Sequence, residues 1–330
     1  MSPRTFIRRL AKIDLHMHLE GSLPPATVRA LAARHRLSEP ALRRFRSFPG
    51  FLESFGEVCD LFRDEQDFEL AASSAIGAAR RAGAAHLEIL FSPQVHLRRG
   101  VSIASIMTGL LRGRARAVKG RGPSVVYILD GVRQWGGEWL EEAVRAVEPY
   151  AGEGIAGLGV GGDERAVPAR DFRRAYALAR RLGMFRTIHA GEICGPESVW
   201  EALEILQVDR IGHGVRAIED PELVARLARG GVPLEICPTS NIATGAVASP
   251  QSHPLRRLYA CGVTVTINSD DGSMFGTDIG GELETARRWG LDETALVEVT
   301  LNAARAAFLP PRRRRALLRR VRRSATALPA

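Results

Sequence analysis

The chain is nearly devoid of lysine. Of its 46 lysine and arginine residues only Lys12 and Lys119 are lysines, so the formal charge of +9 is carried by arginines spread along the sequence. A phosphate-binding surface gathers its cations on one face or along one track, so no nucleic-acid partner is expected. Cysteine is also scarce. Cys59, Cys194, Cys237 and Cys261 are scattered and form no C-x-x-C pair, which argues against a zinc ribbon or a disulfide framework. No apolar run approaches the ~20 residues of a membrane span. The first ten residues carry arginines but no apolar stretch of signal-peptide length. There is no Gly/Ser linker and no long low-complexity segment. A soluble, cytoplasmic, single-domain protein over residues 1–330 is expected, and its oligomeric state is left open.

What is present begins at Ile13-Asp14-Leu15-His16-Met17-His18-Leu19-Glu20-Gly21. Up to His18 apolar and polar residues alternate with the period of a strand. Asp14, His16 and His18 therefore share one side, and two imidazoles two residues apart can grip one ion. The pattern of strand, polar cluster and helix then recurs. Strands are predicted at Ala84–Ser92, Ser124–Asp130, Ile155–Val160, Phe185–Ala190, Arg210–His213, Val232–Cys237 and Val263–Ser269. Helical patterns separate them at Ser102–Val118, Gly137–Val147, Ala169–Leu182, Pro196–Leu206, Pro221–Arg229 and Pro254–Tyr259. Strands alternating with helices imply parallel βαβ units, and eight of them imply an α/β fold, a (β/α)8 TIM barrel.

The polar clusters sit where such a barrel keeps its chemistry, at the C-terminal strand ends. They are His16 and His18, Ser92, Asp130, Gly161 to Glu164, His189 and Glu192, His213, Ser240-Asn241, and Asp270-Asp271. The other four histidines, His35, His86, His96 and His253, lack this placement and are expected to be structural or on the surface. Roughly 65 residues separate the first two strands, too many for a usual connection. They suggest a helical insertion over approximately 20–83. Within it Phe51, Leu52 and Phe55 share one helical face, suited to packing on the barrel wall or to forming a lid over its mouth. Residues 310–325 read as an amphipathic C-terminal helix with Leu317, Leu318 and Val321 inward and a solvated arginine face outward.

His16, His18, His189 and Asp270 form a nitrogen-rich set suited to one Zn²⁺ with a position left for water. Such an ion makes its water a nucleophile near neutral pH. Of Glu192 and His213, one can deliver a proton and the other orient the attacking oxygen. A second metal bridged by a modified lysine is excluded, because neither Lys12 nor Lys119 lies at a strand end. The His-x-Glu and Pro-Cys-x-x-Cys zinc signature is absent as well.

Taken in order, His16-Met17-His18-Leu19-Glu20-Gly21, Gly162-Asp163-Glu164, His189-Ala190-Gly191-Glu192, Arg210-Ile211-Gly212-His213-Gly214, Cys237-Pro238-Thr239-Ser240-Asn241 and Asn268-Ser269-Asp270-Asp271 resemble the adenosine deaminase family nearly end to end. The resemblance implies that His16, His18, His189 and Asp270 bind one zinc per chain. It implies that His213 polarises the attacking hydroxide and that Glu192 protonates purine N1. Asp271 would hydrogen-bond N7, and the Gly162 N–H would meet N3, a close backbone approach that glycine permits. Phe51, Leu52 and Phe55 would line an apolar gate. The implied reaction is hydrolytic loss of ammonia from a 6-aminopurine.

For the purine, adenosine and 2′-deoxyadenosine rank first, because the Gly-Asp-Glu run resembles the nucleoside branch. An aminodeoxyfutalosine-type nucleoside ranks next, and free adenine last. Glu20 stands where adenosine-specific members often carry an aspartate that reaches the ribose 5′-hydroxyl; one methylene longer, Glu20 borders the region beyond the base and either bends to do the same job or shrinks the ribose pocket. A degenerate barrel that only binds ligand is the non-enzyme alternative.

Overall fold

A computed structural model describes residues 3–42, 45, 47–120 and 122–326. The strands are β1 (Lys12–His18), β2 (Ala84–Phe91), β3 (Ser124–Val132), β4 (Ile155–Gly161), β5 (Phe185–Arg186), β6 (His189–Ala190), β7 (Ile211–His213), β8 (Leu234–Ile236) and β9 (Val265–Ile267). All pairings between neighbouring strands are parallel, in the orders β1-β2-β3-β4-β5 and β6-β7-β8-β9. Every residue of β1 and of β2 is buried, as expected of parallel strands covered on both faces.

The predicted fifth strand is split into β5 and β6. Between them Thr187 N–H still bonds Leu158 O at 2.9 Å, and Ile188 O accepts from Gly212 N–H at 2.8 Å. The backbone changes neighbours without leaving the barrel wall. The ring closes where His18 N–H bonds Asp270 O at 3.1 Å and Asp270 N–H bonds His16 O at 2.8 Å. The eight-stranded α/β barrel read from the sequence is the fold.

The long first connection holds α2 (Pro25–His35), α3 (Phe48–Cys59) and α4 (Glu65–Arg81), following the N-terminal α1 (Pro3–Arg9). Asp64 and Asp67 cap α4 reciprocally, which satisfies backbone donors that the first turn leaves free. The predicted helix at Pro196–Leu206 continues past Glu201 as a π-turn over Ala202–Leu206. Two helices, Ile279–Arg288 and Glu293–Ala306, follow β9 and were not foreseen, although Asp278 and Asp292 N-cap them. The last helix, Pro311–Thr326, buries Leu317 and Val321 and leaves its arginine face largely exposed. No helix among the described residues is long and apolar enough to cross a membrane.

Candidate active site

A cavity of about 240 Å³ opens at the C-terminal mouth of the barrel. His18, His189, Glu192, His213, Asp270 and Asp271 form its floor, and Gly162, Phe51, Leu52 and Phe55 are part of its wall. His16 completes the floor beneath, since its ligand atom lies within 4.8 Å of those of His18, His189 and Asp270. Glu20 does not line the cavity. The chain leaves β1 after His18 and enters a 3₁₀ turn over Glu20–Ser22. Within this turn position 21 admits only glycine, since a Cβ would collide with the Asp271 carboxylate.

The imidazoles are aimed by their far nitrogens. His189 Nδ1 lies 2.9 Å from Val160 O, which can only accept, so Nδ1 carries the proton. His16 Nδ1 lies 2.7 Å from Glu235 Oε2. Burial lowers the His189 pKa to about 4 and holds those of His16 and His18 well below the usual value, so all three are neutral. His16 Nε2 and His189 Nε2 then face each other 3.1 Å apart with bare lone pairs. Asp270 Oδ1 lies 3.4 Å from His18 Nε2 and 3.7 Å from His16 Nε2. Four electron-pair donors converging without a proton between them repel unless a cation sits among them, so the group fits a metal ion. The same ion would keep Asp270 ionised despite its burial.

Two residues of this centre, His213 (φ 58°) and Asp270 (φ 59°), adopt left-handed backbone. Such strain in a non-glycine residue costs of order 1–3 kcal/mol and persists where the surroundings enforce it. Here it turns both side chains back over the mouth. His213 Nε2 lies 3.8 Å from both Glu192 Oε2 and Asp270 Oδ2. Burial, reinforced by Asp270 and Glu164, raises the Glu192 pKa well above the ordinary glutamate value. Burial and then Asp270 do the same for Asp271, whose Oδ1 is buried without a partner. Protonated Glu192 and Asp271 can therefore face a ligand as donors near neutral pH.

The groups that support the site are only partly read from the strand ends: Glu164 stands in one of the polar clusters, whereas the bonding roles below do not follow from position. Glu235 orients His16 from the middle of the apolar strand β8, and a glutamate in such a strand was the available signal. Arg210 bonds both Glu235 and Glu88, the latter at 2.7 Å, and balances their charge in the barrel interior. Glu164 accepts from the backbone N–H groups of Gly191 (2.8 Å), Glu192 (3.0 Å) and Cys194 (2.9 Å). It shapes the loop that carries Glu192. His96, taken as structural or on the surface, is fully buried and lies 3.1 Å from Glu20 Oε1. The same oxygen accepts from Ser92 N–H at 3.1 Å.

The α3 face forms an apolar cluster distinct from the main core, with Phe48, Phe51 and Met274 buried and Phe55, Leu52, Ile193 and Phe275 packed around them. Phe51 stacks on Phe275 at 5.2 Å between ring centroids, and Phe55 meets His18 edge-on at 6.3 Å.

Comparison with known proteins agrees with this geometry. The family profile described as adenosine deaminase matches residues 11–324. An adenine deaminase of Chelativorans sp. (strain BNC1) is 38% identical over 319 residues, covering 95% of this chain and 98% of that one. An aminodeoxyfutalosine deaminase of Acidothermus cellulolyticus is 36% identical over 313 residues, covering 90% and 88%. The crystal structure of an adenine deaminase from Arthrobacter aurescens superposes with a TM-score of 0.91 at 30% identity, over 96% of this chain and 99% of that chain. With its matching profile, barrel and converged donor set, the chain belongs to the adenosine deaminase family and is a hydrolytic deaminase.

Proposed function

We propose that the protein is a zinc-dependent adenine deaminase that converts free adenine and water to hypoxanthine and ammonia. One Zn²⁺ per chain, held by His16, His18, His189 and Asp270, would supply an acidified water as nucleophile. Glu192, kept protonated by burial, gives its proton to N1, and C6 becomes electrophilic. His213 bonds the attacking oxygen. Asp271 bonds N7, and the Gly162 N–H meets N3. After addition at C6, one proton of the water restores Glu192 and the other goes to the amino group, which departs as ammonia. Phe51, Leu52 and Phe55 cover the ring and exclude bulk water.

The sequence ranks adenosine ahead of adenine, and the observation that reverses this order is the engagement of Glu20. Its Oε1 is occupied by Ser92 N–H and His96, and the side chain stands outside the cavity lining. Its other oxygen, Oε2, is buried without a partner, but the residue does not line the cavity in which a ribose would have to meet it. Glu164, whose motif favoured the nucleoside reading, is spent on the Glu192 loop and says nothing about a sugar. A cavity of about 240 Å³ is also below the ~300–1,000 Å³ usual for larger ligands. The relative from Chelativorans and the neighbour from Arthrobacter, both named adenine deaminase, support the same choice.

A second reading, deamination of an aminodeoxyfutalosine-type nucleoside, is favoured by the relative from Acidothermus. It is also favoured by Arg99, Gln134 and Trp135 in the cavity wall, which would meet a substituent extending beyond the base. The test is a panel of adenine, adenosine, 2′-deoxyadenosine and aminodeoxyfutalosine followed by loss of adenine-type absorbance. Adenine is expected to lead in kcat/KM by at least ~10², the scale set by a buried polar group left unpaired. A nucleoside turned over as efficiently as adenine would overturn the assignment.

A further inference from the structure

His213 needs one particular ring nitrogen protonated in order to donate to the attacking oxygen, and a chain of buried hydrogen bonds fixes which one. The chain starts from a donor whose direction is unambiguous. Leu255 backbone N–H points at His253 Nδ1 at 3.2 Å, so that nitrogen must be bare. Burial lowers the His253 pKa to about 4, so the ring is neutral and its one proton is on Nε2. His253 Nε2 lies 3.3 Å from Asn241 Oδ1, which accepts. The Asn241 amide is thereby oriented, and its Nδ2–H₂ faces His213 Nδ1 at 3.0 Å. His213 Nδ1 must accept as well. Its proton is therefore on Nε2, the nitrogen directed between Glu192 and Asp270.

We propose that His253 and Asn241 are positioning residues that set the tautomer of His213, so that it enters the reaction as an Nε2–H donor and not as a base. Neither touches the substrate. His253 is held in turn by Trp289, with ring centroids 4.7 Å apart, and Asn241 is completely buried, so the relay has one hydrogen-bonding arrangement. One proton of the attacking water consequently replaces the proton that Glu192 has given to N1, the other goes to the departing amine, and His213 steers the oxygen without taking either. The inference rests on the deaminase activity and is independent of which purine is used.

The decisive measurement is the ¹⁵N NMR signature of the zinc-loaded wild-type protein, labelled at histidine and assigned with His213→Gln. Long-range correlations are expected to show His213 with Nε2 protonated and Nδ1 bare; the opposite tautomer overturns the proposal. Asn241→Asp provides the perturbation. An aspartate keeps an acceptor for His253 but faces His213 with a second acceptor, which draws the proton to Nδ1. Zinc content should be unchanged while kcat falls by ~10²–10⁴ with little change in KM, the scale of loss when a catalytic histidine is held in the wrong tautomer. Retained turnover, or an unchanged tautomer in this variant, refutes the relay.

His253→Gln and His253→Leu serve if the aspartate variant does not fold. Glutamine can still donate to Asn241 Oδ1 and is expected to keep kcat within ~3-fold, whereas leucine frees the amide to rotate and should lower kcat ~10-fold at equal zinc content. Equal losses in both variants would mean that His253 acts only by filling space.

Discussion

The floor and the cover of the cavity are built on opposite principles. On the floor, His16, His189 and His213 each have one ring nitrogen assigned to a protein partner, and the backbone itself is strained to aim His213 and Asp270. The cover, α3, offers Phe48, Phe51, Leu52 and Phe55 to a small cluster with Met274, Phe275 and Ile193. Directional bonds fix the position of the floor, while dispersion and area fix only the proximity of the cover. Chemistry that tolerates little displacement would therefore suit the floor, and admitting a ring would suit the cover.

If this division is right, the largest effect comes from the floor. His16→Ala or His189→Ala removes a donor from a four-donor set, and metal and turnover should be lost together. Metal analysis should give one ion per chain in wild type and none in either variant. Active wild-type protein carrying two ions, or none, would contradict the site.

Next comes Glu192→Gln, which keeps the shape and removes the proton. Zinc should stay bound and kcat should fall by ~10² or more. The wild-type rate should fail on the alkaline side, because an acid with a raised pKa works below that pKa and is lost as pH rises through it. The amide variant should lack this limb in its pH–rate profile.

A substitution in the cover should act differently. Phe51→Ala is expected to raise KM roughly tenfold while leaving zinc content unchanged, since removing one apolar contact with a ligand is worth ~1–3 kcal/mol. A loss confined to kcat would place Phe51 with the floor and blur the comparison.

The smallest effect lies behind the floor. Burial raises the Glu282 pKa from 4.5 to about 7, and its carboxylate accepts from Thr239 N–H at 2.9 Å. Folding then favours its protonated form. The corresponding stability is present below about pH 4.5 and is lost as pH rises through about 7. Thermal melts should show a smaller fall between pH 5 and 8 in Glu282→Gln than in wild type.

The floor was largely legible in the sequence, because metal ligands and acids stand at strand ends in a barrel and the alternation around His16 and His18 reveals their common side. The cover was legible as a helical face, with Phe51, Leu52 and Phe55 at neighbouring positions. The supports were not. Glu235 and Glu88 are inward residues in strand interiors, and their partner Arg210 comes from a third segment. The His253–Asn241–His213 relay joins residues whose contact depends on how a loop returns after β8. Glu20 lies in a 3₁₀ turn just past β1, where strand periodicity no longer says which way a side chain faces. At Gly21 the Asp271 carboxylate, far away in sequence, leaves no room for a Cβ. Pattern reading captures periodic neighbours and misses partners made adjacent only by closure of the ring.

That closure also has a consequence for biosynthesis. Ser22 Oγ donates to Asp270 O at 3.1 Å across 248 residues of sequence, and three of the four converging donors, His16, His18 and Asp270, come from the same two segments. During translation the histidines of β1 emerge first and must wait for almost the whole chain before Asp270 arrives. A polypeptide cut short of Asp270 lacks one ligand and the segment that seals β1 to β9. Metal capture would thus double as a late checkpoint: a chain that has gathered all four donors has already closed its ring through a highly non-local contact.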